Sequence, residues 1–199
     1  MPRLQFWYDL ASNYAYLSAM RIEELAADAG VEIVWRPFLL GPIFKAQGWD
    51  TSPFNLYPAK GRYMIRDMQR IAADRGIAFM KPAAFPAHSL LAVRIAHAGE
   101  IAGWTGRFTK AAFTAEFGHG ADIADTAVLE NILATLGLDA AAVMASAASA
   151  PVKDGLKART AEAQGLGIFG APSFVTDDGE LFWGDDRLEQ ALRWARKTT

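Results

Sequence analysis

Leu4-Gln5-Phe6-Trp7-Tyr8-Asp9-Leu10-Ala11-Ser12-Asn13-Tyr14-Ala15-Tyr16 passes from an apolar, aromatic run into a capped helix. Leu4 to Tyr8 has the length and composition of a buried strand. Ser12 or Asn13 can supply the N-cap of the next helix. Apolar residues at Tyr14, Ile22, Leu25 and Ala29 recur near a 3.6 period and predict one helix ending near Gly30. Val31, Ile33 and Trp35 then alternate with Glu32, Val34 and Arg36, a second strand stopped by Pro37. Strand, helix, strand in this order, with a right-handed crossover, makes the two strands parallel.

Beyond Gly41-Pro42 the pattern is helical as far as Pro151. Met64, Met68 and Ile71 mark one helix ending near Gly76, and Pro82 and Pro86 punctuate a loop. Leu91, Ile95 and Ala98 mark the next helix, and Trp104, Phe108 and Ala112 another. Asp125 to Leu136 and Asp139 to Ala150 make two more, each with an aspartate near its start. Strand chemistry returns at Ser173 to Thr176. Asp178-Gly179 predicts a type I′ hairpin turn, with Glu180 to Trp183 as the return strand. Gly184-Asp185-Asp186 opens a last helix with Leu188, Ala191, Leu192 and Ala195 on one face. With the block removed, the order is β-α-β-α-β-β-α, that of a thioredoxin-like domain. The chain thus reads as an α/β protein, a thioredoxin-like fold with a large all-helical insertion. Residues 1–41 and 152–199 form the thioredoxin-like part, and residues 42–151 the inserted helical domain.

Composition narrows the function. The chain has 199 residues, 52% of them hydrophobic, a net charge of -2 and no cysteine. That apolar share suits a substantial core, and the near-neutral charge argues against a nucleic-acid partner. Without cysteine there is no disulfide, no thiolate metal ligand and no cysteine nucleophile. His88, His97 and His119 fall in no metal-binding spacing, so no metal is expected. The first residues do not form a secretory signal and no run is long enough to span a membrane. Both point to a cytoplasmic protein, or one reaching an organelle lumen by another signal.

Three segments carry candidate chemistry. In a thioredoxin-like fold the active residue lies where the first strand meets the first helix, and here that residue is Ser12. Its hydroxyl cannot exchange disulfides, but it can donate a hydrogen bond to a thiolate supplied by another molecule; alternatively it is a plain N-cap. Gly170-Ala171-Pro172-Ser173-Phe174 places a proline at the start of a strand. A cis Ala171-Pro172 bond would turn the Ala171 backbone outward to pair with a ligand, and an ordinary loop proline is the alternative. Phe182-Trp183-Gly184-Asp185-Asp186-Arg187 puts two carboxylates at a helix start, either to complement the helix dipole or to bind an ammonium group.

Together these segments resemble the 2-hydroxychromene-2-carboxylate isomerases, relatives of kappa-class glutathione transferases and of DsbA-type oxidoreductases. The resemblance also takes in Arg36-Pro37-Phe38, Pro58, Lys60, Tyr63, Phe85-Pro86, Ser89-Leu90, Arg94, Phe113, Asp122-Ile123 and Gly167-Ile168-Phe169, and so covers nearly the whole chain. It implies glutathione-dependent cis–trans isomerisation of an aromatic α-keto acid, of the 2-hydroxychromene-2-carboxylate and trans-o-hydroxybenzylidenepyruvate type, in aromatic degradation. A kappa-like glutathione transferase or another glutathione-dependent lyase is an alternative on the same site. A redox-inactive, thioredoxin-like peptide-binding module is a third reading.

By the resemblance, Ser12 activates the glutathione sulfur, Ala171 and Pro172 present backbone to the glutathione cysteine, and Asp185 and Asp186 bind the γ-glutamyl end. Asn55, Lys60 and Lys45 fall where polar contacts to substrate are expected. Trp49, Phe54, Tyr57 and Tyr63 could wall a flat ring or pack the helical block. A homodimer is implied. Two departures stand out: Asn13 occupies the place of the family's usual proline after the serine, and Ala171 is smaller than the usual residue before Pro172.

Overall fold

The opening aromatic run forms an inner strand of a four-stranded sheet. The computed structural model describes residues 1–197. Strand β1 (Arg3–Tyr8) pairs parallel with β2 (Glu32–Pro37) and antiparallel with β3 (Ser173–Thr176), which pairs antiparallel with β4 (Leu181–Trp183). Side chains alternate across β1. Leu4, Phe6 and Tyr8 enter the larger core, whereas Trp7 enters a smaller cluster with Phe38, Ile43, Ala163, Ile168 and Val175. A strand covered on both faces must be apolar at successive positions, which is why Phe6-Trp7-Tyr8 runs without a polar break. Phe6 stacks on Phe174 at 5.6 Å and meets Trp35 edge-on at 5.3 Å, so the central ring fixes both neighbouring strands.

The first helical stretch is two helices: α1 (Asn13–Ala19) and α2 (Ile22–Ala29). The helix expected to run unbroken to Gly30 is interrupted because Arg21, at φ -127° and ψ -11°, leaves the helical line. Its guanidinium turns instead to Asp185 and Glu189. Gly30 closes α2 in the left-handed conformation, at φ 64°. The hairpin turn also differs from expectation. Type I′ needs positive φ at both central residues, and Gly179 has it at 85° but Asp178 does not. Gly179 N–H donates instead to Thr176 C=O at 2.9 Å, a turn whose last residue alone is left-handed.

Between β2 and β3 lie α3 (Leu40–Ala46), α4 (Pro53–Leu56), α5 (Pro58–Asp74), α6 (Leu90–Ala102), α7 (Thr105–Phe113), α8 (Thr126–Thr135), α9 (Ala140–Ala148) and α10 (Ala150–Gly165). Asp125 and Asp139 cap α8 and α9 through their side chains. The short α3 and α4 carry too few residues for a hydrophobic period to show in the sequence. At the end of α7 the backbone widens into a π turn, Thr114–Gly118. A 3₁₀ turn, Asp185–Arg187, leads into α11 (Leu188–Lys197). No described helix is long and apolar enough to cross a membrane.

Candidate active site at the end of the central strand

Strand β1 delivers the chain into the site through Asp9. This carboxylate is buried and accepts from Leu40 N–H at 2.8 Å, Ser89 Oγ at 2.6 Å and Ala11 N–H at 3.0 Å. Burial raises its pKa, and the Leu40, Ser89 and Ala11 hydrogen bonds pull the other way. One side chain thereby ties together the strand end, the entry to α3 and the loop before α6. The Asp9 carbonyl accepts from Ser12 N–H at 2.9 Å, which sets Ser12 at the head of α1.

Ser12, rather than Asn13, is the cap. Its Oγ accepts from Ala15 N–H at 3.3 Å and donates to the Ala171 carbonyl at 3.0 Å, across the sheet's end. Asn13 is the first helical residue; its Oδ1 accepts from Tyr14 N–H at 2.9 Å. The Ala171-Pro172 peptide is cis. Ala171 is half-buried, and its N–H donates to no group among the described residues. Its neighbours are braced: Ser173 Oγ donates to Gly170 C=O at 2.9 Å, and Gly184 N–H donates to Pro172 C=O at 3.0 Å. That last bond brings the 184–187 turn beside Pro172.

The two aspartates of that turn part ways. The Asp185 side chain is 4% exposed and Asp186 is 73% exposed. Asp185 Oδ1 accepts from Ser18 Oγ at 2.9 Å and Arg21 at 3.3 Å, and Oδ2 accepts from Arg75 at 2.7 Å. Its oxygens are thus engaged by α1, by the α1–α2 break and by the end of α5. Among the described residues the Asp186 carboxylate has only Arg187, at 2.9 Å. Gly184 between Trp183 and this pair has φ 108°, and a Cβ there would lie 2.6 Å from Asp186 Oδ1. Only glycine lets the carboxylate fold back over the turn.

The polar candidates of the helical block are exposed. Asn55 on α4 donates to Thr51 Oγ1 at 3.0 Å. The Lys60 ammonium stands 5.8 Å from the Tyr57 ring centroid, and Lys45 is exposed in the last turn of α3. None of the three has a hydrogen bond or ion pair to Ser12, Ala171 or Asp186. Tyr57 and Tyr63 are exposed, Phe54 is half-buried, and Trp49 packs on Phe44 at 5.9 Å.

Three features lie outside the expectations drawn from the sequence. Tyr14 OH donates to Asp67 on α5 at 2.9 Å, fastening α1 to that helix. Arg21 and Arg75 hold Asp185 across long sequence separations. Glu116, in the π turn, is fully buried with no hydrogen-bond partner for either oxygen among the described residues. Its pKa is pushed up to about 9, first by burial and then by the negative fields of Asp9 and Asp122. A neutral carboxylic acid at physiological pH spares Asp9 a second buried charge. No local pattern marks such a residue; a glutamate on the apolar face of α7's extension is the available signal.

A hydroxyl at a strand–helix junction thus faces a carbonyl beside a cis proline, next to an N–H with no partner among the described residues. Fold and site define a DsbA-like thioredoxin domain, and the profile of that family matches residues 3–193. The chain belongs to the 2-hydroxychromene-2-carboxylate isomerase family within it. It is 32% identical over 190 residues to a 2-hydroxychromene-2-carboxylate isomerase of Sphingobium xenophagum, covering 94% of each chain. It is 27% identical to one of Pseudomonas putida, covering 93% of this chain and 90% of that one. The solved structure of a 2-hydroxychromene-2-carboxylate isomerase superposes with a TM-score of 0.86 at 26% identity, over 98% of this chain and 97% of that one.

Proposed function

We propose that this chain catalyses cis–trans isomerisation of an aromatic α-keto acid, of the type that its relatives are named for, using glutathione as a returning thiol. The observation that carries the reading is Ser12 Oγ at 3.0 Å from the Ala171 carbonyl, beside cis-Pro172, in a chain without cysteine. The residues present fit a γ-glutamyl-cysteinyl ligand. Ala171 offers an N–H without a partner among the described residues, and Asp186 offers an exposed carboxylate for an ammonium group. Asp185, held by Ser18, Arg21 and Arg75, acts through the turn it anchors rather than on the ligand. When bound, glutathione supplies a thiol able to add reversibly to a conjugated double bond, leaving a single bond about which rotation is free.

Ser12 serves that thiol by favouring its charge. A free thiol has a pKa of about 8.5, so little thiolate exists at neutral pH without a donor. Ser12 has one proton, and it is given to Ala171 C=O. Were a ligand N–H to satisfy that carbonyl, the Ser12 hydroxyl would be available as a donor to a thiolate. Ala15 N–H meanwhile donates to Oγ, which polarises the hydroxyl and strengthens it as a donor.

The test is incubation with hydroxychromene carboxylate with and without glutathione. Isomer formation that saturates with glutathione and returns it unchanged supports the reading. Turnover that ignores glutathione contradicts it, and a product retaining the glutathionyl group assigns the site to a transferase instead.

A further inference from the structure

Helix α1 has seven residues, fewer than the roughly 12 that an isolated helix needs to hold its shape in water. Its place is therefore set by bonds to distant parts of the chain. Tyr16 OH donates to Ala78 C=O at 2.6 Å, and Ser18 Oγ donates to Asp185 Oδ1 at 2.9 Å, both further along the helix. Tyr14 OH donates to Asp67 Oδ2 at 2.9 Å, and Tyr14 stands two residues from the cap, Ser12. The first turn has no local substitute for this tether. Asn13, the first helical residue, brings no ring to fix its φ, and its buried Nδ2 has no hydrogen-bond partner among the described residues.

The seat of Tyr14 is itself fixed. Asp67 Oδ1 accepts from Arg70 at 2.9 Å, so the carboxylate is held at both oxygens. Arg70 lies 5.5 Å from the Tyr63 ring centroid, and Met64, Met68 and Ala72 form the buried face of the same helix, α5. Burial first, then the hydrogen bond to Asp67, holds the Tyr14 phenol well above its ordinary pKa, so it remains the donor. A donor must be aimed to stabilise a charge, and a misplacement of about 1 Å can cost a hundredfold in rate. We propose that Tyr14, seated on Asp67, is a positioning residue that aims the Ser12 hydroxyl at the borrowed thiol. It acts through the head of α1 rather than on the ligand. The inference rests on the functional reading above and adds to it the residues that hold the serine in place.

The test is the pH dependence of the ultraviolet thiolate absorbance of glutathione, at saturation with the full-length chain. Tyr14→Phe, which removes only the hydroxyl, is expected to raise the pKa of the bound thiol by about one unit, roughly what a weakened hydrogen bond to a charged group is worth. Asp67→Ala is expected to do the same; Asp67→Asn, whose amide oxygen can still accept from Tyr14, is expected to raise it less. In a Ser12→Ala background Tyr14→Phe is expected to add nothing, because the group it aims is gone. A tether with a merely structural role would lower Tm and leave the bound thiol as it is. An unchanged thiol pKa in Tyr14→Phe therefore overturns the proposal, as does an equal further rise in the Ser12→Ala background. In both of those outcomes the wild type still ionises glutathione. A wild type that leaves it un-ionised or unbound removes the functional reading and the proposal together, so the two failures are distinguishable.

Discussion

At the scale of the residue, Ser12 and Glu116 illustrate opposite uses of burial. Ser12 keeps its hydroxyl at the edge, shared between Ala15 N–H and Ala171 C=O. Ser12→Ala is expected to lower kcat by about a hundredfold, the usual cost of removing one oriented donor to a developing anion. Glutathione binding should persist, because Ala171 and Asp186 remain; calorimetric titration of the variant checks this. Glu116 is instead sealed in without a hydrogen-bond partner among the described residues. Its folded pKa of about 9 lies above the ordinary carboxylate value, so the native state holds a proton that the unfolded chain releases. Its contribution is therefore fully present below about 4.5, falls as pH rises, and is lost by about 9. Glu116→Gln should flatten that slope, gaining stability relative to the wild type as pH rises across this window. Urea denaturation at a series of pH values measures it. Ser12 is legible in the sequence because strand, cap and missing cysteine coincide in one local stretch. Glu116 is not, since its meaning depends on Asp9, distant in sequence.

At the scale of the element, the 184–187 turn is held from three sides. Asp185 joins α1, α5 and the 3₁₀ turn through Ser18, Arg21 and Arg75, and Arg21 reaches on to Glu189 of α11. Removing the buried carboxylate takes away Arg75's ion-pair partner among the described residues and leaves Arg21 with Glu189, so Asp185→Ala should cost about 3 kcal/mol of stability by chemical denaturation. Asp186→Ala, at an exposed position, should leave stability within about 0.5 kcal/mol while weakening glutathione binding. If both variants lost affinity and stability equally, the division of labour between the two aspartates would fail. Gly184→Ala is expected to combine the effects: a strained backbone at φ 108° and a displaced Asp186. Element boundaries are readable where a residue punctuates the chain by its own backbone, as at Gly30, Pro37 and Gly179. The break at Arg21 is hidden because an ion pair to Asp185 and Glu189 accompanies it, not a local breaker. The hairpin type is misleading in sequence because Asp178-Gly179 also suits a longer loop whose second residue alone needs positive φ.

At the scale of the molecule, the main core does not stop at the limits of the helical block. One cluster includes Leu4 and Phe6 of the sheet, Met68 of α5, Ile95 of α6, Phe113 of α7, Leu133 of α8 and Leu192 of α11. Order along the chain suggests a discontinuous thioredoxin-like part and an insertion; packing joins their side chains. Unfolding followed by far-ultraviolet circular dichroism and by tryptophan fluorescence should therefore give coincident transitions. Two separated transitions would show that the block melts independently.

The claim that the chain borrows a thiol and ionises it at Ser12 is tested most directly by the ultraviolet thiolate absorbance of bound glutathione at neutral pH. A thiolate band with the wild-type chain, lost with Ser12→Ala although glutathione still binds, is the predicted result. A band of equal strength in both proteins, or none in the wild type at saturation, would contradict it.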